Sequence, residues 1–119
     1  MSDIKHVILH NLLKNESYSR KVVPFIKVEY FKDRNERVLF EAIQDFILKY
    51  NNLPTKEVLQ IVLDKKETIN EDEYKNILIL LEDVSKVQED VDSEWLLNET
   101  ETFCKESAAR TGVLIKKRI

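Results

Sequence analysis

Glycine occurs once in these 119 residues, at Gly112, proline twice, at Pro24 and Pro54, and cysteine once, at Cys104. A phosphate-cradling Walker loop needs two glycines followed by lysine and serine or threonine, and a dinucleotide loop needs two or three glycines in six residues. Neither can be written with a single glycine, and the hairpin turns of an all-β fold also lose their usual residue. One cysteine permits no internal disulfide and no cysteine-based zinc cage, and it fits a reducing compartment. The longest unbroken apolar run, Ile77 to Leu81, is far short of a membrane span, and the N-terminus lacks the charged-then-apolar pattern of a secretory signal. A soluble intracellular protein is expected.

What the chain has in quantity is charge and helical periodicity. Charged residues make up 34% and hydrophobic residues 43%, with 22 acidic against 19 basic side chains and a net charge of −3. That balance argues against broad electrostatic capture of nucleic acid. The length suits one domain, 1–119, able to fold on packing alone. The reading divides it into a bundle core over about 1–91 and a long C-terminal helix over 92–119.

Apolar residues at helical spacing, broken by short polar turns, mark the elements. Asp3 to Lys14 carries Ile4, Val7, Ile8 and Leu12 on one face. A short helix follows from about Ser17 toward Val23 and Pro24. Asp33 and Glu36 stand at capping-box spacing before Leu39, Ile43, Phe46, Ile47 and Tyr50. Thr55 caps a fourth helix with Val58, Leu59, Val62 and Leu63 facing inward. Asn70 and Glu73 open a fifth, Asn70 to Val84, apolar nearly all round at Ile77 to Leu81 and therefore expected at the centre of the bundle. Asp92 or Ser93 starts a last helix, Glu94 to Lys117 or beyond, acidic first and basic last as the helix dipole favours. It lacks an evident stop, so the chain reads as an excerpt. The predicted fold is all-α: a compact bundle of about six helices with a long C-terminal helix.

No residue set announces chemistry. His6 and His10 share a helix face at metal-ligand spacing, yet no third ligand is evident, so they are read as a solvated face. Cys104 reads as a small semi-buried hydrophobe rather than an activated nucleophile. The acidic runs Glu71-Asp72-Glu73 and Glu89-Asp90 suit helix starts and solvated turns. The basic clusters Arg20-Lys21, Lys65-Lys66 and Lys116-Lys117-Arg118 lack the interleaved aromatics of a single-strand platform. No catalytic, cofactor or metal residue is predicted. For Trp95, Phe103, Val113, Leu114 and Ile115, a place in the core and a place at a protein interface both stand open.

Dispersed matches in order along the chain resemble a known family. Val23-Pro24-Phe25, Glu29-Tyr30-Phe31, Phe40-Glu41-Ala42-Ile43, Lys49 to Pro54, Glu73-Tyr74, Trp95-Leu96 and Glu99-Thr100-Glu101 are similar to the N-terminal collar domain of the T-even-type phage replicative helicases, within the DnaB-type hexameric helicases. The resemblance runs over roughly Ile4 to Ala109. It implies a DnaB-like helical N-terminal domain whose subunits pair through a helical hairpin, with 92–119 as its first arm, assemble into a dimer or ring and dock primase, DNA being met only indirectly through the ring. It places ATP, Mg and 5'-3' strand separation in a motor domain that these residues do not include, so no cofactor and no enzyme activity are expected here. It further implies the cytoplasm of an infected host and no membrane partner. Two rival readings are a stand-alone small phage protein that binds a replication factor, and a small nucleic-acid-binding accessory protein.

Overall fold

Six α-helices account for most of the chain in the computed structural model, which describes residues 3–86 and 90–112. They are α1 (Ile4–Lys14), α2 (Glu16–Val22), α3 (Arg34–Tyr50), α4 (Lys56–Asp64), α5 (Glu71–Ser85) and α6 (Ser93–Thr111). A 3-10 turn at Val28–Tyr30 bridges α2 and α3. The described residues contain no strand, so the all-α expectation holds.

The helix starts are marked by side-chain caps. The side chains of Asp3, Asn15, Asp33, Thr55, Asn70 and Asp92 each accept a hydrogen bond from a backbone N–H in the first turn. A cap of this kind contributes about 1 kcal/mol. At Asn70 the box is reciprocal, because Glu73 accepts in return from the Asn70 N–H. Asn15 serves twice: its N–H donates to the Asn11 carbonyl that closes α1, and its side chain accepts from Tyr18 at the start of α2.

The core is one continuous cluster gathered around α1. Val7, Ile8, Leu9, Leu12 and Leu13 are buried on several sides of that helix, which packs against α2, α3, α5 and α6. Leu39, Ile43 and Ile47 from α3 and Ile77, Leu81 and Val84 from α5 close over it. An aromatic layer lies beside them, with Phe31 stacked on Phe40 at 5.0 Å and tilted against Phe103 at 5.2 Å between ring centres. The irregular backbone leading to Phe31 is tied down by Gln44, whose amide donates to the carbonyls of Val23 and Ile26. Those carbonyls would otherwise lack helical partners.

Four expectations need correction. The most enclosed helix is α1 and not α5, whose Ile79 is 60% exposed in the middle of the apolar run. Val62 faces outward on α4, leaving Leu59 and Leu63 as its buried residues. Tyr50 is exposed and leans on Phe46 with ring centres 4.7 Å apart. In each case a helix had more apolar residues than one face can bury, and the surplus stays in water, as is common on folded proteins. Finally, α6 does have a stop. Gly112 adopts a left-handed conformation at φ +79°, with its N–H turned back onto the carbonyls of Ala108 and Ala109. This is the conformation glycine adopts at least cost, and it closes α6 at Thr111; the expected run on to Lys117 lies outside the described residues.

Candidate interaction surfaces

The seam that holds α6 is narrow. Leu96, Thr100, Cys104, Ser107 and Ala108 are its buried residues, recurring every three or four positions against α1, α2 and the 3-10 turn. Most of these side chains are small, so the backbones approach closely. Polar bonds supplement the packing. The Thr100 hydroxyl donates to the Leu96 carbonyl at 2.7 Å and so accepts from the buried Tyr18 hydroxyl at 2.7 Å. Arg110 donates to the Tyr30 carbonyl at 2.8 Å. Burial pushes the Tyr18 phenol up, the Thr100 bond only partly offsetting it. Burial, followed by the nearby Glu101 carboxylate, raises the Cys104 thiol to about 12. A thiol so held is protonated and unreactive, as befits a small core residue.

The candidate interface residues divide along this helix. Phe103 is half-buried over Tyr30 and Phe31. Trp95 stands 44% exposed near the helix start. Val113, Leu114 and Ile115 lie outside the described residues. Apart from Trp95, the exposed positions of α6 are polar or small, namely Ser93, Glu94, Asn98, Thr102, Lys105, Glu106, Ala109, Arg110 and Thr111.

The larger exposed apolar side chains gather elsewhere. In the antiparallel hairpin of α4 and α5, Ile61 is 57%, Val62 37% and Ile79 60% exposed. An ion pair between Lys56 and Glu82 sets the register of the two helices. That lysine, and then Lys86, holds the Glu82 carboxyl below the usual range. No signal in the local sequence separates Ile79 from its buried neighbours. Its opposition to Ile77 and Leu81 on the helix wheel becomes informative only once the buried side is known.

The two histidines do not stand on a fully solvated face, since both are partly buried. His10 Nδ1 lies 2.6 Å from the Val84 carbonyl, pinning α1 to the end of α5. His6 Nε2 lies 3.5 Å from Glu36, and Lys5 Nζ lies 3.9 Å from the same carboxylate. Asp33 caps α3 as its spacing suggests, but Glu36 does not complete a capping box. It turns inward toward α1, where it is buried and its Oε1 accepts no hydrogen bond. Burial raises its pKa, and Lys5 and His6 oppose that rise. Among the described residues no cluster of three or more His, Cys, Asp or Glu is placed to hold a metal ion.

Several basic side chains tie elements together. Arg20 donates to the Asn51 carbonyl, Arg34 pairs with Glu73, and Lys66 pairs with Glu41. The Arg34 bond holds the Glu73 carboxyl below its ordinary value. The Lys116-Lys117-Arg118 cluster lies outside the described residues. No helix among the described residues is long and apolar enough to cross a membrane.

Among the described residues, the titratable side chains do not converge on one polar site. The chain is 28% identical over 102 residues to the DnaB-like replicative helicase of Enterobacteria phage T4. The similarity supports a relationship to replicative helicases and a replication-related role. It covers 86% of this chain but 21% of that helicase, so the chain spans about a fifth of its relative's length. No protein-family profile matches the chain.

Proposed function

We propose that this chain is the N-terminal collar domain of a phage replicative helicase of the DnaB type, which helps subunits assemble and docks primase while ATP chemistry resides in another domain. The observation that carries the reading is the similarity over 102 residues, confined to about a fifth of the helicase. The helical bundle is consistent with it. Nucleotide motors of the α/β class are built on parallel sheets with helices on both faces, and no strand occurs among the described residues. In this reading the chain works in the cytoplasm of the infected cell, self-associates in the assembled helicase, and reaches DNA only through the ring.

Two measurements test the proposal together. The purified chain should retain the primase of the phage that encodes it, in an interaction seen by titration calorimetry and absent with an unrelated helical domain. It should also show no saturable ATP hydrolysis. Turnover of ATP by the clean chain, or failure to bind that primase at high micromolar concentration, overturns the assignment.

A further inference from the structure

The outer face of the α4–α5 hairpin presents Ile61 and Ile79 to water with no covering element among the described residues. Each lies two residues from its helix's buried positions, Leu59 and Leu63 on α4 and Ile77 and Leu81 on α5, and so on the opposite side at about 100° per residue. The Lys56–Glu82 ion pair aligns the helices. With a rise of about 1.5 Å per residue, Ile61 and Ile79 then fall within about 3 Å of the same height, and Asp64 and Lys75 within about 2 Å. Asp64 and Lys75 are both exposed.

We infer that this face is a two-fold contact between copies of the chain, in which α4 of one copy lies antiparallel along α5 of the other. Charge decides the occupant and the axis. A two-fold running parallel to the helices keeps every residue at its own height, so Ile61 of one copy meets Ile79 of the other and Asp64 meets Lys75, twice over. A two-fold running across the helices stacks α4 on α4 and brings the exposed acids Glu57 and Asp64 against each other, which like-charge repulsion disfavours. Of these two axes, the one parallel to the helices makes the face self-complementary, as an isologous contact requires.

Two isoleucines per copy are a small apolar centre. Stable interfaces bury about 1,200–2,000 Å² in total, so this contact is weak by itself and gains its effect when several copies are already held in one assembly. It rests on the assembly reading above for its biological meaning and names a surface for it.

Sedimentation equilibrium of the full 119-residue chain, from micromolar to about 1 mM, tests the inference. A reversible dimer is expected. Ile79→Arg should weaken it at least tenfold with an unchanged circular dichroism spectrum, since Ile79 is exposed. Asp64→Lys and Lys75→Asp should each weaken it, and the two together in one chain should restore it toward the unsubstituted level. A chain that stays monomeric throughout, a dimer indifferent to Ile79→Arg, or a charge swap without recovery each overturns the inference. None of these outcomes touches primase binding, so failure of this contact and failure of the collar reading are separately visible.

Discussion

The α4–α5 hairpin carries more apolar side chain than it buries, whereas α6 buries most of the little it has. The hairpin grips the core through large residues, Leu59, Leu63, Ile77 and Leu81, and leaves Ile61 and Ile79 in water. The seam of α6 consists mainly of Thr100, Cys104, Ser107 and Ala108, small enough for close backbone approach, with Tyr18 and Arg110 adding polar bonds to it. Scarcity of apolar residues in a helix is thus no sign that it awaits a partner, and abundance is no sign that it is enclosed. What matters is how the apolar residues are distributed around the axis relative to the neighbours that cover it.

Three measurements can break or sharpen this contrast. The largest effect concerns the closure of the α6 seam. With its thiol raised from 9.0 to about 12, Cys104 holds roughly a thousandfold less thiolate than an ordinary cysteine near neutral pH. It should react with a disulfide reagent at pH 8 at least that much more slowly in the native chain than in denaturant. Rapid native labelling would mean that α6 detaches readily. Next, Leu81→Ala in the hairpin should cost about 2–5 kcal/mol, because it leaves a cavity beneath a fully buried position. The fall in the urea midpoint measures that cost, and a loss below 1 kcal/mol would show that the hairpin holds to the core less firmly than its packing indicates. Smaller again, Tyr18→Phe removes the phenol donor that Thr100 accepts from. It should cost about 1 kcal/mol with no change in denaturant slope, and no change at all would leave packing as the sole attachment of α6 at that point.

The parts of the fold legible in the sequence are those decided within one helical turn. Asp33, Thr55, Asn70 and Asp92 each reveal a helix start because the accepting cap side chain and the backbone N–H that donates to it lie three residues apart. The outward turn of Val62 and Ile79 was not legible, since it depends on where α1 and α3 lie, far away in the chain. Glu36 illustrates the same limit inside one motif: its spacing promised a return bond to the cap, but proximity to Lys5 and His6 drew the carboxylate toward α1 instead. Tyr30 and Phe31 entered the core from a 3-10 turn and the extended residue after it, where no helical period advertises burial. Gly112 was visible as a glycine, but its role as a stop needed the left-handed backbone angle. Of the candidate surface residues, Phe103 and Trp95 share one helix yet meet different surroundings, because only Phe103 has Tyr30 and Phe31 beneath it.

The corner at Asn15 has a consequence for how the molecule tolerates change in length. One residue both finishes α1 and begins α2, so there is no slack between them to absorb an extra unit. A single inserted amino acid would swing α2 by about 100° around its own axis, carrying Tyr18 and Val22 out of the interior and breaking the Tyr18–Thr100 hydrogen bond. The first two helices and α6 are in this way geared together, and a slip of one tooth at the corner loosens the grip on a helix far along the chain, leaving α1 and the 3-10 turn to hold it.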